Sequence, residues 1–287
     1  MIDGLLVVDK AAGWTSHDVV AKCRGIFGQK RIGHAGTLDP GATGVLLVGL
    51  GRVTRLLRYP GALPKSYIAE VVLGVETTTL DDEGDVTATH DMVAVSLADV
   101  QAAATRFVGA IEQVPPMVSA VKVGGRRLHD LARAGEEVER RPRQVVVHAL
   151  DVSAGGEPAV FRLSVTCSAG TYVRALAADI GGALGGGAHL RRLRRTGVGE
   201  FSADEARPVE ALGPDAVLPP VEALRGYPRL AVGDEVAHDV GHGKVLSDHV
   251  LGVAGEGPWA VVNASGDLLA VYELHGEGRV KPAVVVV

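Results

Sequence analysis

The stretch GHAGTLDPGATGVLLVGLG, residues 33–51, holds one carboxylate, Asp39, between Leu38 and Pro40. Glycines lie on both sides of it, and the apolar run that follows reads as a buried strand over 45–51. Pro40 biases Asp39 towards an extended backbone, and the glycines permit close approach by another backbone or by a ligand. Two readings of Asp39 stay open from these residues. It is either an Asx-type turn residue in an Asp-Pro-Gly sequence, or a functional carboxylate held at a rigid strand entrance.

Working outward, GLLVVDK (4–10) reads as a short buried strand ending in a charged pair. TSHDVVAKCRGIFG (15–28) reads as a helix capped by Ser16, with Asp18 in its first turn. RVTRLLRY (52–59) reads as a short helix. KSYIAEVVLG (65–74) alternates as a strand, with Tyr67, Ala69, Val71 and Leu73 on one side and Ile68 and Val72 on the other. TTTLDDEGDV (77–86) is a polar turn, SLADVQAAATRFVG (96–109) a capped helix, and 112–138 an excursion with two prolines, a Gly-Gly turn and a short basic helix. Residues 144–187 give two antiparallel strands around a Gly-Gly-Glu-Pro turn, then a helix from about Tyr172. Beyond a proline-rich connection, 229–287 reads as a small module of short Val-rich strands. Strands and helices alternate irregularly with tight hairpins, so the fold class is α+β rather than a doubly wound parallel sheet.

Composition bounds the function. The 287 residues are 47% hydrophobic, 22% charged and only 4% aromatic, so Val, Leu and Ala do most of the packing. A net charge of −5 does not by itself announce a nucleic-acid partner, but basic residues cluster in 123–144 and 189–197, and a local patch binds phosphate even on an acidic chain. Two distant cysteines make neither a disulfide framework nor a zinc pattern. The N-terminus lacks a basic segment ahead of its short apolar run, and no run approaches a membrane span. The expectation is a cytoplasmic protein with no membrane association.

Cofactor motifs fail on specific atoms. GTLDPGAT (36–43) has the frame of a phosphate loop, but Ala42 stands where the phosphate-binding Lys is needed and an acid lies inside the loop. GLGRVT (49–54) lacks the third glycine of a dinucleotide fingerprint. His238, His242 and His249 are irregularly spaced for a metal site. There is no Gly-x-Ser-x-Gly elbow, and neither cysteine has a neighbourhood that would activate it. No cofactor and no metal are expected.

GHAGTLDPGATGVLLVGLG resembles the catalytic motif of the bacterial TruB family, the tRNA pseudouridine-55 synthases. The likeness extends in family order through GLLVVDKAAGWTSHDVV, KSYIAEVVLGVETTTLDDEGDV, QVPPMVSAVKVGGRRLHDLARAGEEVERRPR and CSAGTYVRALAADIGGALGGGAHLRRLRRTGVGEF, spanning about residues 4–205. One departure is Ala11, where the family usually has Pro after the Lys. The resemblance implies a pseudouridine synthase fold with a mixed, largely antiparallel sheet. It implies a catalytic domain over 1–228, a thumb-like RNA-clamping insertion at about 113–143, and a PUA-like RNA-binding domain over 229–287.

The same resemblance implies the site. Asp39 matches the essential aspartate, Tyr67 the tyrosine lying against the target base, and Arg174 the arginine that pairs with the catalytic carboxylate. Asp81 matches an acid that engages that arginine, and His34 a histidine near the space vacated by the flipped nucleotide. Lys122, Arg126, Arg127, Arg192 and Arg195 become RNA phosphate contacts. The implied substrate is the T-arm of tRNA, turned over by a monomer with no obligate protein partner. Two rivals remain: a nucleoside hydrolase using Asp81 or Asp82 as second carboxylate, and a non-catalytic RNA-binding or folding factor.

Overall fold

The computed structural model describes residues 2–119, 122–127, 136 and 138–286. The chain divides into two units, Met1–Pro40 with Gly44–Leu63 and Val198–Val287, and Gly41–Thr43 with Pro64–Gly197.

The first unit opens with β1 (Gly4–Lys10), helix α1 (Ser16–Phe27), β2 (Ile32–Ala35) and β3 (Thr43–Leu50). β1 runs antiparallel to β3 from Gly4↔Leu50 to Lys10↔Gly44, and β2 pairs with β3 through Gly33↔Gly49. Leu5, Leu6, Leu46 and Leu47 are all fully buried, so both faces of these strands are covered. Hence the unbroken apolar runs where a half-exposed strand would alternate. The glycines at 33 and 49 serve packing here. A Cβ on Gly49 would lie 3.0 Å from the Leu57 side chain, so this bare patch admits a leucine rather than a nucleotide.

Two local expectations are corrected. The cap of α1 is Thr15, not Ser16: Thr15 is extended, its hydroxyl accepts from the Asp18 amide, and the Asp18 carboxylate accepts from the Thr15 amide. Asp18 lies three residues past Thr15, which completes a capping box and leaves the Ser16 hydroxyl for another partner. Residues 52–59 are not one helix but a 3₁₀ turn, Gly51–Arg55, followed by a short α2, Arg58–Ala62. The three-residue period aligns Arg52 with Arg55 in the turn, and Arg58 opens α2. They donate to the Val286 carbonyl (2.6 Å), the Val285 carbonyl (2.8 Å) and the Glu273 carboxylate (3.1 Å).

In the second unit, β4 (Lys65–Leu73) leads to a hairpin of β5 (Val75–Thr77) and β6 (Val86–Thr89), then α3 (Leu97–Thr105) and β7 (Gly109–Gln113). Two short strands, β8 (Lys122–Val123) and β9 (Arg126–Arg127), pair within the excursion. β10 (Arg143–Ala154), β11 (Val160–Cys167), α4 (Val173–Ala183) and β12 (Ala188–Val198) follow. The sheet order is β12-β4-β11-β10-β7, with the β4–β11, β11–β10 and β10–β7 pairs antiparallel. β4 alternates as its sequence does: Tyr67, Ala69, Val71 and Leu73 are buried and Ile68 is exposed. The expected short basic helix falls partly on 128–135, outside the described residues.

Back in the first unit, β13 (Phe201–Ser202) and β14 (Arg207–Pro208) precede a run of 3₁₀ turns, and β14 adds to β1 in parallel. A separate five-stranded sheet then forms from β15 (Arg229–Ala231), β16 (Leu246–Ser247), β17 (Trp259–Val262), β18 (Leu268–Leu274) and β19 (Arg279–Val285), ordered β15-β17-β18-β19-β16. Val262, Leu268, Val271 and Val284 share a core with Leu5, Val7, Leu47 and Phe201. The opposite face packs Trp259, Val261 and Tyr272 with Val240 of α5 (Asp234–Gly241), a helix the sequence reading placed among strands. Its signal was the Val236/Val240 spacing behind two acids in the first turn. Residues Asp248–Leu251 form a further helical turn. No helix among the described residues is long and apolar enough to cross a membrane.

β4 also buries Lys65, 5% exposed, on the face that carries Tyr67. Desolvation, reinforced by the positive charge of Arg195, lowers its pKa from 10.5 to about 8. The unfolded chain holds that proton to higher pH, so this group makes the fold more stable as pH rises from about 8 towards 10.5. Urea unfolding of wild type and Lys65→Met at pH 7.5 and 9.5 checks this. The wild type should gain more stability between the two pH values than the variant does.

Candidate active site

Asp39 lies in the loop between β2 and β3, half-buried, after Gly36 turns the chain with φ +77°. The residues on either side of it are anchored. Ser16, 1% exposed, accepts a hydrogen bond from the Leu38 amide (2.9 Å) and donates to the Leu38 carbonyl (3.2 Å). The Pro40 carbonyl accepts from Lys10 Nζ (3.1 Å) and from the Gly13 amide (2.9 Å). Lys10 is fully buried and also donates to the carbonyls of Trp14 (2.6 Å) and Ala11 (3.0 Å). A desolvated ammonium is tolerated because its three donors find acceptors. His34, on β2 opposite Val48, meets the His17 ring edge-on at 5.3 Å.

In the second unit Arg174 enters from the first turn of α4 and is 3% exposed. One guanidinium nitrogen donates to the Asp81 carboxylate (2.9 Å) and the Thr79 carbonyl (3.0 Å), and the other to the Val118 carbonyl (2.9 Å). The planar fork thus ties α4 to the acidic turn and to the start of the excursion. Asp81 is further held by the Thr79 hydroxyl and the Glu83 amide. Leu80, between Thr79 and Asp81, has φ +63°, a conformation costly for a side chain with a Cβ. It persists because its amide bonds the Thr77 carbonyl and its carbonyl accepts from Leu190. Gln113 bonds reciprocally with the backbone of Tyr172, at 3.0 and 3.1 Å, fixing the start of α4. Tyr67 is buried on β4 opposite Val165 of β11.

The structure therefore brings Asp81 and Arg174 together, as expected of an acid and its arginine. Asp82 has a different partner: it bonds His189 Nε2 at 2.8 Å, while His189 Nδ1 meets the Val75 carbonyl. Sequence reasoning missed this buried histidine, and also Ser16, Lys10 and Gln113 as anchors. Lys10 left a faint signal, a charge set flush against an apolar strand. The others left none.

The basic residues separate. Arg192 and Arg126 are exposed, Arg126 gripping Glu136 with two contacts of 3.0 Å. The backbones of Lys122 and Arg127 pair across β8 and β9, but their side chains lie outside the described residues. Arg195 is 1% exposed, which corrects its reading as a surface phosphate contact: alternation along β12 turns it inward, near Lys65. Arg140 donates to the Pro115 carbonyl at 3.0 Å, joining the two sides of the excursion at its base. Burial raises the pKa of Cys23 to about 11 and raises that of Cys167, so neither thiol is an activated nucleophile.

Comparison with known proteins gives the family. The model of the TruB family pseudouridylate synthase N-terminal domain matches residues 24–173, and that of the tRNA pseudouridylate synthase B C-terminal domain matches 174–223. A tRNA pseudouridine synthase B of Symbiobacterium thermophilum is 50% identical over 247 residues, 84% of this chain and 82% of its own. One of Thermobifida fusca is 44% identical, covering 99% of both chains. Among solved structures, a chain in a Cbf5-Nop10-Gar1 complex is 28% identical with a TM-score of 0.77, over 99% of this chain and 85% of that one. With family models covering residues 24–223 and relatives matched from end to end, the chain belongs to the TruB family of pseudouridine synthases and is an isomerase.

Proposed function

We propose that the protein converts uridine 55 in the T-loop of tRNA to pseudouridine. The observation that carries this reading is the near full-length likeness to proteins named tRNA pseudouridine synthase B. The reaction breaks the N1–C1′ bond of the nucleotide, turns the uracil and joins C5 to C1′. The proton on C5 leaves, and N1 gains one. Composition and oxidation state are unchanged, so the chemistry is within reach of side chains alone.

Asp39 is the nucleophilic carboxylate in this reading, and its anchored loop supports a role that depends on position. A uridine in a folded loop must leave its stack, and the face of Tyr67 recovers part of the few kcal/mol that costs. Arg174 is the cation that serves the catalytic carboxylate, and the Asp81 pair holds its fork in a single orientation. His34 lies by the space the flipped nucleotide vacates. Arg126 and Arg192, with Lys122 and Arg127, meet phosphates of the T-arm. Residues 1–228 form the catalytic domain with its clamping insertion, and 229–287 an RNA-binding domain of the PUA-like kind. The protein works in the cytoplasm as a monomer.

A tRNA labelled with tritium at uridine C5 tests the reading, because bond formation at C5 expels the label into water. Label release without free uracil is expected; free uracil would instead mark a hydrolase, and neither product a non-catalytic RNA-binding factor. Asp39→Asn should abolish release while tRNA binding stays within about 3-fold, since one carboxylate adds little to a phosphate-dominated affinity. Arg174→Lys should lower turnover on the order of 10²-fold, because an ammonium cannot reproduce the planar fork and misplacement is costly. Titrations at increasing salt should show log affinity falling linearly with log salt, and Arg192→Ala should make that slope shallower by about one unit.

A further inference from the structure

We propose that Ser16 is a positioning residue for Asp39, with Lys10 as the opposing anchor, so that both neighbours of the catalytic carboxylate are immobilised by side chains buried from solvent. The inference rests on the reading of Asp39 as catalytic and adds residues that reading does not use.

The Ser16 hydroxyl has one proton and two lone pairs. It spends the proton on the Leu38 carbonyl and a lone pair on the Leu38 amide, so one side chain holds both backbone polar groups of the residue before Asp39. Leu38 is itself 3% exposed, and water cannot take over either bond. Ser16 is available for this because Thr15 performs the helix capping. Proline has no amide N–H, so the carbonyl is the one backbone hydrogen-bonding group of Pro40, and it accepts from Lys10 and Gly13.

Asp39 lies between these anchors, and its proline neighbour already biases it towards an extended backbone. Asp39 itself, unlike Ser16, Lys10 and Leu38, is not fully buried. The arrangement is therefore a backbone held on both sides of one half-buried aspartate. A nucleophile that must approach a particular atom needs this, since an error of about 1 Å costs on the order of 10²-fold in rate.

The test uses the full chain and single-turnover tritium release from C5-labelled tRNA, with tRNA affinity, melting temperature and amide exchange at Leu38 measured in parallel. Ser16→Ala should lower the chemical rate on the order of 10²-fold, leave tRNA affinity within about 3-fold because the hydroxyl touches no phosphate, and speed exchange at Leu38. Val20→Ala, a buried cavity variant on the same helix, controls for stability alone: with a comparable loss of melting temperature it should keep the rate within about 3-fold. Lys10→Met should repeat the Ser16 result; if it fails to fold, Ser16→Ala decides. A Ser16→Ala rate no lower than that of Val20→Ala, or unchanged exchange at Leu38, overturns the proposal. If wild type releases no label at all, the functional reading falls and takes the catalytic role with it, while slow Leu38 exchange would still report the anchor as structure.

Discussion

A buried ammonium has to find three acceptors or lose its charge. Lys10, fully buried at the end of β1, finds them in the carbonyls of Ala11, Trp14 and Pro40. Satisfying one side chain therefore folds the chain after β1 back on itself and draws in the loop before β3. The register of the two strands agrees with it, because Lys10 pairs with Gly44, four residues past Pro40. The entrance to β3 is consequently among the more constrained parts of the first unit. A carboxylate placed there inherits a fixed backbone without forming part of the core.

Arg174 plays the corresponding part in the second unit. Its fork serves two carbonyls and a carboxylate from segments far apart in sequence, so the acidic turn, the excursion and helix α4 share one buried cation. An isolated buried ion pair is weak evidence for stability, because desolvation offsets the attraction. Here the additional carbonyl bonds and the left-handed Leu80 point to orientation as the gain. The His189–Asp82 bond secures the same turn from β12.

Much of the fold was legible because periodicity reports burial directly. β1, β3 and β4 could be bounded to within two residues: the first two as unbroken apolar runs, the third through its alternation. The start of the helix read over 96–109 was equally legible, since Ser96 and Asp99 form its cap, but the helix ends at Thr105. The reading failed where two residues compete for one local role or where distant partners set the geometry. Thr15 and Ser16 are both good caps, and only the position of Asp18 relative to Thr15 separates them. The arginines at 52, 55 and 58 look like one helical face, but carbonyls and a carboxylate more than 200 residues away favour a tighter turn. Arg195 sits in a basic cluster, and only strand alternation in place shows that it points inward.

The sequence by itself determined the α+β class, the strand carrying Tyr67, the motif around Asp39 and the family. The class and the strand follow from local patterns of polarity, glycine and proline, which act over a few residues and need no partner; the family follows from the resemblance of whole motifs in order. Tertiary structure alone decided that Ser16 and Lys10 anchor the neighbours of Asp39, that Asp82 bonds His189, and that Arg195 is buried while Arg192 is exposed. Each of these is a choice among chemically similar side chains. A hydrogen bond to a group distant in sequence settles the first two, and the facing of β12 settles the third, so composition and spacing carry little trace of them.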